Sequence, residues 1–94
     1  MKERVEVPNT TVPVYKYEES EYTVYEFDTS MKGPPEPMVN ALSVLELLNS
    51  SNVKVVMINH RKPMGLFDRL EDKYNVSMEE LPDGKYKIVF TLKA

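Results

Sequence analysis

Cysteine is absent from the 94-residue chain. That absence removes disulfides, thiolate nucleophiles, persulfide carriage, iron–sulfur clusters and cysteine-ligated zinc, while leaving the redox compartment open. Histidine occurs once, at His60, and one imidazole among scattered carboxylates is a poor set for tetrahedral zinc. The three glycines, Gly33, Gly65 and Gly84, lie far apart, so no glycine-rich phosphate loop exists. No stretch approaches the ~20 apolar residues of a membrane span. Residues 1–10 carry charges without an apolar run and do not read as a signal peptide. The expectation is a cytoplasmic protein with no membrane partner. Basic charge is not in excess either: 12 Lys and Arg against 15 Asp and Glu leave a net charge of −3. A dedicated nucleic-acid binder needs a basic face to neutralise phosphates, so nucleic acid is not the expected partner.

What remains is ordinary globular material, 41% apolar and 29% charged, enough for one domain with one core. Residues 1–21 differ from the rest. Val5 and Val7 alternate with charges, Pro8 and Pro13 interrupt, and Glu18, Glu19 and Glu21 form an acidic cluster. This segment reads either as an arm or as an edge strand hairpinned through that cluster onto the next strand, since edges tolerate proline. From residue 22 the pattern sharpens. Tyr22-Thr23-Val24-Tyr25-Glu26-Phe27 is rich in β-branched and aromatic residues and predicts a strand. Pro34 and Pro35 suit the first turn of a helix, with Glu36 near the positive end of its dipole. Met38, Ala41, Leu42, Leu45 and Leu48 form one apolar stripe at spacings of three and four, and residues 49–52 end it.

Val53-Lys54-Val55-Val56-Met57-Ile58 reads as a central strand. Residues 59–62 are a polar loop and Pro63 opens a second helix, with Leu66, Phe67, Leu70 and Tyr74 on its buried side. Residues 76–81 predict a short strand and Pro82-Asp83-Gly84 a turn. The alternation of Tyr86, Ile88, Phe90 and Leu92 with Lys85, Lys87, Val89 and Thr91 predicts a half-buried strand. The order β-α-β-α-β-β gives an α/β (α+β) two-layer sandwich, a mixed four-stranded sheet with two helices on one face and a further N-terminal edge strand as an option. A strand–helix–strand crossover makes the first two strands parallel. The loops after Phe27 and Ile58 therefore emerge at one end, each leading to a helix N-terminus where free N–H groups and the dipole favour anions.

Gly33-Pro34-Pro35-Glu36-Pro37-Met38, with the stripe over residues 39–48, resembles the TusA/SirA-like small domains, in which a Cys-Pro-x-Pro motif opens the first helix of a β-α-β-α-β-β sandwich. The match is to a cysteine-lacking branch with a Pro-Pro-Glu-Pro motif and a His- or Arg-containing loop before the second helix, here Asn59-His60-Arg61-Lys62-Pro63-Met64. The resemblance covers about residues 22–92 and implies a TusA-like domain over 22–94. Neighbouring hemerythrin-like domains in that branch imply metal, redox or nitrogen-oxide physiology. Thiol sulfur carriage does not carry over, because Pro34, Pro35 and Glu36 stand where the thiol would be, and a fold does not bring its function with it.

Two function classes compete for the loops. Lys32, Glu36, His60, Arg61 and Lys62 are the candidate binding residues for a small anion or a protein partner; the three basic loop residues add positive charge, and Glu36 opposes them. Alternatively His60 with Met38 and Met64 forms a metal site. One imidazole and two thioethers suit Cu(I), and His/Met axial ligation suits haem iron. Methionine at helix spacing also fills core, and Met38 is in register with Leu42 and Leu45. For an enzyme only a Glu36–His60 acid–base pair is on offer, with no nucleophile beside a base, so the expectation is a non-catalytic binding module. The sheet face carrying Lys85, Lys87, Val89 and Thr91 offers a second copy of the chain a surface for homodimerisation.

Overall fold

The computed structural model describes residues 2–62, 68, 70 and 72–93. Its described elements are β1 (Glu3–Val5), β2 (Val14–Glu19), β3 (Tyr22–Asp28), α1 (Glu36–Leu45), β4 (Val53–Asn59), β5 (Tyr74–Glu80) and β6 (Tyr86–Leu92). The strands form one six-stranded sheet in the order β1-β2-β3-β4-β6-β5. Only β3 and β4 pair in parallel, in the register Asp28↔Ile58; all other neighbours are antiparallel. The α/β class therefore holds, but the four-stranded sheet does not. The acidic cluster does hairpin β2 onto β3, through Ser20 and Glu21, with Ser20 at φ 56°. A further strand, β1, then pairs outside β2 through Val5↔Val14.

The second helix expected from Pro63 falls mostly on residues outside those described; Asp68 and Leu70 are helical. Tyr74, expected on that helix, instead opens β5 opposite Leu92 and is buried. Its phenyl ring serves the core equally well from a strand, so an apolar spacing of four could not distinguish the two.

Period-two alternation sorts the sheet into two faces. Val14, Phe27, Val55, Met57, Ile88 and Phe90 point to the α1 side, where Ala41, Val44, Leu45 and Leu48 complete the core. Fully burying one such aliphatic or aromatic side chain contributes roughly 1.5–3 kcal/mol, so this cluster dominates stability. Val24 and Val56 lie on the opposite face and are nonetheless buried. There Tyr17 is the cross-strand neighbour of Val24, and Val89 that of Val56.

Two-residue alternation on β3 and β4 does not stop at their last apolar core residues. It continues on the core side into Thr29, 0% exposed, and Asn59, 3% exposed. Buried polar groups at that point need partners, and those partners define one end of the sheet.

Candidate functional site at the rim of the parallel pair

Parallel pairing delivers the chain after Asp28 and after Ile58 to the same rim. There Thr29 clamps the two loops together. Its N–H donates to Ile58 O at 2.8 Å, and its hydroxyl lies 3.1 Å from both Ile58 O and Asn59 Oδ1. Asn59 Nδ2 in turn donates to Arg61 O at 3.1 Å, shaping its own loop from within. On the other loop, Ser30 N–H donates to Asp28 Oδ1 at 2.8 Å and Lys32 N–H to Thr29 O at 3.0 Å, which makes a tight turn. A single buried threonine–asparagine contact thus fixes the relative position of residues 29–32 and 59–62.

The side chains this clamp presents are mostly cationic. His60, Arg61 and Lys62 are exposed and Lys32 is half-buried. Among the described residues none of these four takes part in an ion pair, whereas Lys2, Lys54 and Lys85 do. Lys62 Nζ sits 5.7 Å from the centroid of the Tyr86 ring, and Tyr86 is the cross-strand neighbour of Asn59. Met31 belongs to the same turn and is 89% exposed. Ser30 Oγ, also in that turn, is buried and lacks a hydrogen-bond partner among the described residues.

The start of α1 differs from the expected anion cradle. Glu36 N–H donates to Gly33 O at 3.1 Å, Pro37 carries no N–H, and Val39 N–H donates to Pro35 O at 3.1 Å. These groups are spent within the chain, and the N-terminal segment crosses the same turn. Asn40, 0% exposed, accepts the Thr11 N–H through Oδ1 at 2.7 Å. Its Nδ2 donates to Thr11 Oγ1 and to Glu36 O, both at 2.8 Å. Thr11 Oγ1 then donates to Glu36 Oε1 at 2.8 Å. Val7 and Val12, flanking this contact, reach the core. Glu36 is therefore occupied in holding the N-terminal segment, and it contributes negative charge to one of the two helix ends that were expected to attract anions.

Of the proposed metal donors, His60 is exposed at the rim and Met38 is half-buried, packed against the core. Met64 lies outside the described residues. Among the described residues no group of three or more His, Asp or Glu side chains is placed to hold an ion, and no helix is long and apolar enough to cross a membrane. Thr11, Thr29, Ser30, Asn40 and Asn59 shape the site, and periodicity and motif spacing gave them no role. Their signal is present in the chain: Asn40 interrupts the apolar side of α1, and Thr29 and Asn59 occupy the next buried position of two alternating strands.

Comparison of the chain with protein-family models, curated proteins and solved structures gives no match, for a TusA/SirA-like relationship or any other.

Proposed function

We propose that this chain is a non-catalytic binding module that docks an acidic segment of a protein partner on the rim built by residues 29–32 and 59–62. The observation that carries the reading is the Thr29–Asn59 contact. It brings Lys32, His60, Arg61 and Lys62 to one end of the sheet while no described carboxylate neutralises any of them in an ion pair. Unpaired cations around an exposed methionine suit a peptide that carries carboxylates next to an apolar side chain, because methionine adapts to irregular apolar surfaces. The binding energy comes from side chains and loop geometry, not from the α1 dipole, since the helix start is closed by Thr11 and Asn40.

Two features favour a segment of protein over a small inorganic anion. Among the described residues the rim carries an exposed apolar tip at Met31, and a small inorganic anion gains nothing from an apolar contact. The cations also come from two separate loops, which suits a ligand long enough to touch both. Binding of this kind does not require a TusA/SirA-like ancestry, and the lack of a thiol is no handicap to it.

Fluorescence anisotropy with a labelled peptide of alternating glutamate and leucine tests it. We expect saturable binding that weakens with salt, since exposed charges more than about 10 Å apart are screened at 0.1 M. The double variant Arg61→Glu/Lys62→Glu should bind at least roughly tenfold more weakly, about 1.4 kcal/mol. Equal affinity of the variant and the parent would remove the rim from consideration.

A further inference from the structure

The sheet ends on two unlike edges. β1 is three residues long, and Lys2, Glu3 and Arg4 crowd it with charge. β5 is seven residues long, contains no proline, and is exposed on both faces at Ser77, Met78, Glu79 and Glu80. Short charged edges resist pairing, whereas a long straight edge invites it.

The hydrogen bonding at the two ends of β5 fixes which of its backbone groups face outward. Leu81 N–H donates to Lys85 O at 2.8 Å, and Lys93 N–H donates to Lys73 O at 3.3 Å. In an antiparallel pair such exchanging positions recur at every second residue, and the β5–β6 register runs without a bulge from Tyr74↔Leu92 to Glu80↔Tyr86. Positions 73, 75, 77, 79 and 81 therefore face β6. Tyr74, Val76, Met78 and Glu80 turn their N–H and C=O groups outward, to the side where no described strand pairs with β5.

We infer that β5 is a homodimer interface, pairing antiparallel with β5 of a second copy about a two-fold axis at Val76. A two-fold antiparallel pairing must match outward groups with outward groups, so its axis lies on a β5 residue and registers shifted by one are excluded. The Val76 axis sets Lys73 opposite Glu79 of the second copy, twice by symmetry. It also sets Tyr74 opposite Met78 on the core side and Asn75 opposite Ser77 on the other. An axis at Ser77 would instead set Glu79 opposite Asn75 and Glu80 opposite Tyr74, with no opposite charges. Opposite-charge neighbours across strands favour the first register. Exposed Met78, 36% accessible, gains cover from the β5 backbone of the second copy. This interface is independent of the rim, and it is an edge contact, not the face contact through Lys85, Lys87, Val89 and Thr91 that the sequence suggested.

Because the chain has no cysteine, single introduced thiols report on it without interference. Asn75 and Ser77 of opposite copies form a non-hydrogen-bonded pair, with Cα atoms about 4.5 Å apart, inside the range that a disulfide spans. We expect an equimolar mixture of Asn75→Cys and Ser77→Cys to oxidise to a cross-linked dimer while each variant alone stays uncross-linked. Light scattering should show twice the 10.9 kDa chain mass at high concentration. Met78→Pro should return it to monomer with an unchanged circular dichroism spectrum, since the Met78 N–H serves no bond to β6. A monomer at millimolar concentration, a dimer that survives Met78→Pro, or Ser77→Cys cross-linking with itself overturns the interface.

Discussion

The start of α1 and the rim beside it are both built from threonine and asparagine, yet they do opposite things. At the start of α1, Asn40 and Thr11 consume each other's polar groups and hold Glu36, and the result is a closed joint between the N-terminal segment and the helix. At the rim, Thr29 and Asn59 consume each other's groups below the surface and leave three cations and an imidazole outside. The difference lies in placement. A buried polar pair between a helix and a crossing segment uses up its surroundings, whereas the same pair between two adjacent loops spaces those loops and leaves their outer side chains free.

Breaking the closed joint should have the largest effect. Asn40→Ala removes three hydrogen bonds from a fully buried site and strands the Thr11 N–H, at a cost of about 2–4 kcal/mol. Urea denaturation measures it, and a loss below about 1 kcal/mol would mean the joint is not closed as described. Thr29→Val keeps the shape of the rim clamp and deletes its hydroxyl, so roughly 1–2 kcal/mol should be lost. Peptide affinity should fall with it, because the two loops are no longer spaced; a variant that loses stability but binds as before would separate the clamp from the function.

Tyr17 belongs to neither joint and so serves as a reference. It is held above the usual tyrosine range, chiefly by burial and then by Glu26, which accepts its hydrogen bond at 2.9 Å and repels the phenolate. A raised phenol pKa means the fold favours the neutral form. Its contribution is complete below the unfolded value of about 10 and is lost as pH rises from there toward the folded value. Stability measured from pH 8 to 11 should therefore fall more gently in Tyr17→Phe than in the parent, and identical slopes would refute the assignment. Smallest of all on stability is Arg61→Glu/Lys62→Glu, expected within about 0.5 kcal/mol of the parent by thermal melting, because exposed loop charges contribute little to folding. Its expected effect is on peptide affinity.

Much of the framework is legible along the chain. β3, β4, β6 and α1 announce themselves by local periodicity, and the crossover through α1 makes β3 and β4 parallel from the order of elements alone. With that comes the shared rim and the company of Lys32, His60, Arg61 and Lys62. What is not legible depends on distance in sequence. Thr11 and Asn40 are 29 residues apart, so the closing of the helix start has no local signature. The insertion of β6 between β4 and β5 is likewise a tertiary choice. Tyr74 shows the limit most plainly, since its apolar ring fits a helical stripe and a strand equally well.

Whether the rim is the docking surface is tested most directly by amide chemical shifts. Titrating the glutamate–leucine peptide into isotope-labelled protein should move the amides of residues 29–33 and 60–62 first and furthest, leaving Thr11 and Asn40 in place. Shifts centred on Thr11, Asn40 and the first turn of α1, with a silent rim, would contradict it.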